Sequence, residues 1–127
     1  MNLLLDTHTV LWALSDVEKL SDKAKSEILS PDKNKIVSLI SAWEVAIKIS
    51  LNKLSFEGGV VRFLHQIERD GFELLPIRAE HIALIEALPF HHRDPFDRLI
   101  VATAIVENMA IITADTNIRL YDINCIW

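Results

Sequence analysis

Four acidic residues stand where the chain changes character. Asp6 ends the apolar run Leu3-Leu4-Leu5, Glu44 follows Ser41-Ala42-Trp43, Asp97 follows Asp94-Pro95-Phe96, and Asp115 ends the run Ala110-Ile111-Ile112-Thr113-Ala114. Each has a structural reading of its own. Asp6 is a natural helix cap, Glu44 stands four residues before Lys48 in the favourable order for a helical ion pair, Asp97 complements a helix dipole, and Asp115 can cap a last short turn. Their conjunction carries a second reading, because acids at strand ends and in first helical turns converge on one rim of an α/β sheet. Carboxylates gathered there repel by about 3 kcal/mol per pair at roughly 6 Å and an effective dielectric near 20, so such a cluster needs a cation. Hydrated Mg²⁺ or Mn²⁺ fits best, since these hard ions take oxygen ligands and commonly bridge one or two carboxylates to a phosphate. The chemistry that follows is metal-assisted hydrolysis of a phosphodiester.

The elements that must position these acids follow from periodicity. Leu3-Leu4-Leu5 reads as a strand and Thr9 to Leu14 as a short helix. Ser21 caps a helix over Asp22 to Leu29, and Ser30-Pro31-Asp32 ends it before a strand over Lys35 to Ile40. Ser41 is expected to cap a helix running to about Leu51; Gly58-Gly59 opens another that Asp70-Gly71 closes. Phe72 to Ile77 is a short apolar segment, Glu80 to Leu88 a helix, and Pro89 to Arg93 a loop. Asp94 caps and Pro95 begins a helix to Asn108, followed by the strand ending at Asp115 and a final short strand within Asn124 to Trp127. Near-continuous apolar strands alternating with helices predict an α/β fold: a central, mostly parallel sheet flanked by helices on both faces. In such sheets ligands bind beyond the carboxyl ends of the strands, where Asp6 and Asp115 fall.

Length and composition narrow the classes. The 127 residues match one compact domain, residues 1–127, without linker or repeat. No apolar run approaches the roughly 20 residues needed to span a bilayer, and the N-terminus lacks a basic leader, so a cytoplasmic protein without membrane contact is expected. The net charge of −5 argues against a broad basic surface for nucleic acid, although an acidic site can neutralise itself with bound cations. The single cysteine, Cys125, reads as a small buried apolar residue.

The segments Leu4-Leu5-Asp6-Thr7-His8, Ser41-Ala42-Trp43-Glu44, His92-Arg93-Asp94-Pro95-Phe96-Asp97-Arg98-Leu99-Ile100-Val101-Ala102-Thr103-Ala104 and Ile112-Thr113-Ala114-Asp115 together resemble the PIN-domain ribonucleases, and within them the VapC-like toxins of bacterial toxin–antitoxin pairs. The resemblance spans nearly the whole chain. It implies a single PIN-like domain, Mg²⁺- or Mn²⁺-dependent endonucleolytic cleavage of RNA leaving a 5′-phosphate, a homodimer, and an antitoxin that covers the site. It carries the family's four acids onto Asp6, Glu44, Asp97 and Asp115. Asp6, Asp97 and Asp115 then hold the metal directly or through water, Glu44 ligates or orients water, and Thr113 is the hydroxyl before the last acid. Many members have Asn where this chain has His8, which leaves the role of position 8 open.

Asp94 competes with Asp97 for the third acidic role; the run that follows Asp97 assigns the metal to Asp97 and the cap to Asp94. Arg93, Arg98, Lys48 and Lys53 flank the acids, and Arg93, Arg98 and Lys48 are candidates to guide the phosphate backbone. His91 and His92 lack a second pair at zinc spacing and read as loop or phosphate-facing residues. Trp12 and Trp43, like Phe63 and Phe96, read as core or interface aromatics rather than base-stacking platforms. Two other classes stay open: a phosphohydrolase with Asp6 as nucleophile, which needs a second Asp where this chain has His8, and a catalytically silent RNA- or partner-binding module on the same fold.

Overall fold

The computed structural model describes residues 1–127. Five strands, β1 (Asn2–Leu5), β2 (Asn34–Ser38), β3 (Glu73–Leu75), β4 (Ala110–Ile112) and β5 (Cys125–Ile126), form one sheet in the order β3-β2-β1-β4-β5. Every pairing is parallel. Six helices connect or flank them: α1 (Thr7–Ser15), α2 (Asp22–Leu29), α3 (Leu39–Ser50), α4 (Gly59–Arg69), α5 (Ala79–Ile85) and α6 (Pro95–Glu107). Single 3₁₀ turns cover Val17–Lys19 and Ile118–Leu120. No helix is long and apolar enough to cross a membrane.

Alternation along β1 divides the core. Leu3 and Leu5 point to one face of the sheet, with Val10 and Leu11 of α1, Ala24 of α2, Val45 of α3, and Phe63 and Ile67 of α4. Leu4 points to the other face, with Ile100, Val101 and Ala104 of α6, and Ile85 of α5 packs against that cluster. All three leucines are wholly buried, as a strand covered by helices on both faces requires.

The helix ends follow local chemistry. The Ser21 hydroxyl accepts from the Ala24 amide at 3.0 Å, and the Asp94 carboxylate accepts from the amides of Phe96 and Asp97 at 2.9 and 3.0 Å. Asn108 closes α6 in the left-handed conformation, φ 55° and ψ 52°, which Asn tolerates better than most side chains. Some boundaries differ from expectation: α1 begins at Thr7 rather than Thr9, α5 ends at Ile85 rather than Leu88, and β2 ends at Ser38 rather than Ile40. Ser38, not Ser41, caps α3, its hydroxyl accepting from Ile40 N at 3.1 Å, so β2 runs into α3 without a loop. Leu39 and Ile40 extend an apolar run that periodicity alone cannot divide between strand and helix.

Candidate active site

The strand order reverses at β1: the chain steps outward from β1 through β2 to β3, then returns to β4 on the other side. At that switch the connections leave β1 and β4 in opposite directions and open a crevice at their carboxyl ends. Asp6 and Asp115 lie there. Asp6 directly follows β1 in extended backbone, and its Oδ1 accepts from the Thr9 amide at 2.8 Å, capping α1. Its Oδ2 accepts from the Thr113 hydroxyl. That hydroxyl oxygen also accepts from the Asp115 amide at 2.9 Å, and the Thr9 hydroxyl donates to the Ile112 carbonyl at 2.9 Å. The ends of β1 and β4 are thereby tied by side-chain hydrogen bonds. Asp115 Oδ1 accepts from the amides of Asn117 and Ile118 at 2.7 and 3.1 Å. Capping and convergence are therefore not alternatives: both acids cap a turn and both line a cleft of about 240 Å³ with His8, Trp12 and Ala114.

Glu44 comes from α3 and is only 3 % exposed. The Thr7 hydroxyl donates to its Oε1 and Lys48 Nζ to its Oε2, both at 2.7 Å. Thr7 also shares a hydrogen bond of 2.9 Å with the Ser41 hydroxyl, which joins the first turns of α1 and α3. The Glu44–Lys48 pair expected from spacing is present, but its acid is buried rather than on a surface. Burial opposes the charge on Lys48, yet the bond to Glu44 and the fields of Glu44, Asp94 and Asp97 outweigh it, so the ammonium is held above its ordinary value.

The α6 N-terminus supplies Asp97, while Asp94 serves as its cap. Asp97 Oδ2 faces His92 Nε2 at 3.4 Å, and His92 Nδ1 meets the Tyr121 hydroxyl at 3.0 Å. Tyr121 also accepts from Arg98 Nη1 at 3.1 Å. Arginine has no acceptor, so the Tyr121 proton is free to serve His92 Nδ1, an arrangement that leaves the Nε2 proton for Asp97. His92 is thus neither a free loop residue nor exposed.

Arg98 corrects an expectation. It does not reach a phosphate path, because it is 3 % exposed and its guanidinium donates to the carbonyls of Pro89 at 2.8 Å and Leu88 at 3.1 Å as well as to Tyr121. It also stacks on Phe90 at 4.0 Å. Arg98 holds the loop between α5 and α6 in place. Arg93 is exposed and Lys48 and Lys53 stay at or near the surface. Trp43 is not in the core: 58 % exposed, it meets Phe96 edge-on at 5.6 Å. Cys125 is half-buried rather than buried, and burial pushes its thiol up.

Negative charge accumulates around Asp97. Burial first, then the fields of Asp94, Asp115, Glu44 and Asp6, push its carboxyl up to about 8. Asp6 is raised as well, burial outweighing the hydrogen bonds from Thr113 and Thr9. No three His, Cys, Asp or Glu side chains stand together as a ready-made ligand cage. The donors are hard oxygens arranged around an open cleft, a set suited to an ion that keeps several of its waters.

A family model for the PIN domain matches residues 3–124. The chain belongs to the PIN-domain family. Among relatives, this PIN domain is 31 % identical over 117 residues to ribonuclease VapC22 of Mycobacterium tuberculosis, covering 91 % of this chain and 88 % of that protein. Among solved structures it resembles VapBC2 from Rickettsia felis bound to a promoter DNA fragment, with a TM-score of 0.72, 17 % identity and coverage of 98 % and 97 % of the two chains. VapBC-1 from nontypeable Haemophilus influenzae gives a TM-score of 0.64 at 18 % identity, covering 98 % and 96 %. Sequence reasoning passed over three parts of this PIN domain: Thr7 and Ser41 behind Glu44, and Tyr121 behind His92. Thr7 carried a signal, a hydroxyl in the turn that Asp6 caps; Tyr121 carried none, since only the fold brings it to His92.

Two outcomes follow from this geometry. Asp97 has a folded-state value near 8, above the roughly 3.9 of an unfolded chain. The folded state then binds the extra proton between those values, so metal-free stability from this group is full below about pH 4 and is lost as pH rises through about 8. Asp97→Asn should flatten that decline: melting temperatures in EDTA from pH 5 to 8 should fall less for the variant than for the wild type, and parallel curves would contradict the electrostatic account. Arg98→Lys should destabilise by about 1–3 kcal/mol, because one ammonium cannot replace a planar fork serving three carbonyls, those of Ile85, Leu88 and Pro89, and a phenol. Urea unfolding measures this, and an unchanged midpoint would remove Arg98 from its anchoring role.

Proposed function

We propose that residues 1–127 form one PIN domain that acts as a metal-dependent endoribonuclease, the toxin of a toxin–antitoxin pair. The observation that carries this reading is the pair Asp6 and Asp115 lining one cleft at the switch point of a parallel sheet, near enough to Asp97 that their fields, with those of Asp94 and Glu44, add to burial in raising it to about 8. The 31 % identity to a ribonuclease and the likeness to toxin–antitoxin complexes support the substrate and the partner.

Asp6, Asp97 and Asp115 hold Mg²⁺ or Mn²⁺, directly or through water. An ionised carboxylate offers about four lone-pair sites, and two on Asp6 serve Thr9 and Thr113, so acceptor capacity remains for an ion. When bound, the ion supplies the positive charge that lowers the pKa of water and offsets charge developing on the phosphate. Thr113 fixes the rotamer of Asp6. Glu44, held by Thr7 and Lys48, orients the attacking water, which displaces the 3′-oxygen and leaves a 5′-phosphate. Lys48 and Arg93 stand at the rim as phosphate guides. A phosphohydrolase with Asp6 as nucleophile needs a second Asp where this chain has His8, which disfavours that reading. The antitoxin partner and a second copy of the chain have exposed apolar surface available, with Trp43, Phe90 and Ile82 around one cavity of about 630 Å³.

Cleavage of an end-labelled total RNA pool in Mg²⁺, Mn²⁺ or EDTA tests the reading. Asp6→Asn, Asp97→Asn and Asp115→Asn should each lower the rate by roughly 100-fold or more, and Thr113→Val by about 10- to 100-fold. Asp94→Asn should stay within a few-fold, since Asn caps a helix about as well. Mn²⁺ should raise the melting temperature of the wild type and not that of Asp97→Asn. Undiminished cleavage in an acid variant removes that residue from the site, and an inactive Asp94→Asn beside an active Asp97→Asn reverses their roles. Overproduction should arrest growth unless the small protein encoded beside this one is coexpressed; growth and RNA left untouched by the wild-type chain alone would remove the toxin role.

A further inference from the structure

The cleft that holds Asp6 and Asp115 has a second kind of wall. His8 and Trp12 line it, and Ala114 adds no bulk between the acids and the aromatics. His8 and Trp12 are four residues apart on α1 and therefore share a face of the helix, their ring centroids 5.9 Å apart at a tilt of 40°. Trp127 packs behind Trp12 at 5.8 Å and 56°, and both indoles rest against the core on that side of the sheet. Trp12 is thus a core aromatic on one side and a cleft wall on the other, while His8 at the rim is exposed.

We propose that His8 and Trp12 form a stacking subsite for one nucleobase of a single-stranded RNA, next to the phosphate engaged at Asp6 and Asp115. The inference rests on the ribonuclease reading and deepens it. About 240 Å³ is less than the roughly 300–1,000 Å³ of pockets for drug-sized ligands, so the cleft takes one flat group rather than a folded molecule. A nucleotide matches both walls: its phosphate belongs with the cation-binding acids and its base with the aromatic face. The subsite also answers a problem of charge. A chain of net charge −5 lacks the basic surface that usually gives affinity for a polyanion, and stacking supplies affinity that does not depend on charge. Trp127 behind the indole holds the wall in place before the base arrives, which limits the entropy lost on binding.

The experiment uses a hexaribonucleotide spanning a cleavage site mapped in the total RNA pool, and six versions of it with one abasic position each. In the wild type one abasic position beside the scissile phosphate should lower kcat/KM by roughly 5- to 100-fold, chiefly through KM, and the positions farther away should matter little. Trp12→Leu should lose about the same factor on the intact strand and show no further loss with that abasic strand. Trp12→Phe, which keeps an aromatic face, should stay within about 3-fold, as should the melting temperatures within a few degrees. His8→Ala, exposed and neutral to folding, should lose a few-fold on the intact strand alone. Anisotropy of the same labelled strands in Ca²⁺ should give the same pattern without turnover. The subsite is overturned if every abasic strand is bound and cut like the intact one, or if the loss from Trp12→Leu simply multiplies with the abasic loss. Wild-type protein that cuts no RNA in Mg²⁺ or Mn²⁺ overturns the ribonuclease reading, and this inference with it.

Discussion

The hydrogen bond from the Thr113 hydroxyl to Asp6 spans the one place in the sheet where the connections part, between the carboxyl ends of β1 and β4. Much of the site depends on it. The same oxygen accepts from the Asp115 amide, so a single threonine sets the position of one acid's side chain and of the other's backbone. Parallel pairing of β1 with β4 brings the two ends level, Leu5 standing beside Ile112. A one-residue slip would turn Leu4 and its neighbours to the wrong faces of a sheet buried on both sides, so the core that fixes the register also fixes the distance between the acids.

The site is held together by groups that would otherwise push it apart. Glu44 is satisfied by Thr7 and Lys48, and Asp94 by the amides of α6, so their charges are largely compensated. Asp97 accepts no backbone hydrogen bond and meets only the imidazole of His92 at 3.4 Å. Burial and the neighbouring charges therefore act on Asp97 with little to offset them, and its carboxyl is pushed up to about 8. Such a distribution favours cation binding, because the least satisfied carboxylate gains most from a cation. Stability is sacrificed locally at a functional site and recovered in the surrounding core.

Much of this was legible in the sequence where a local rule decides structure. Apolar runs ending in acids marked β1 and β4, Ser21 and Asp94 marked helix starts, and Asn108 marked a helix end. Legibility failed where tertiary contact decides. Nothing local separates an arginine that guides a phosphate from one that ties a loop: Arg98 stands one residue after Asp97, yet helix geometry turns it by about 100°, toward Leu88, Pro89 and Tyr121. Trp12 and Trp43 have similar apolar neighbours, but one lies between the core and a cleft and the other is mostly exposed. The capping and cation-binding readings of Asp6 and Asp115 looked like rivals only because sequence assigns a residue one role; a carboxylate has two oxygens and can serve the backbone with one.

The buried network at the α6 end has its own logic. Arg98 fastens the α5–α6 loop through carbonyl oxygens that no helix satisfies, and Tyr121 completes it from the turn after β4. The Tyr121 hydroxyl hydrogen-bonds His92 Nδ1, and the other ring nitrogen of His92 faces Asp97. A donor aimed at a carboxylate favours its ionised form, yet at 3.4 Å this one is too long to offset burial and four neighbouring negative charges. Three elements far apart in the chain, the α5–α6 loop, the α6 N-terminus and the turn after β4, thus restrain a single side chain without neutralising it. The proposed metal role of Asp97 calls for such a side chain, whose direction the protein sets and whose proton an ion would displace.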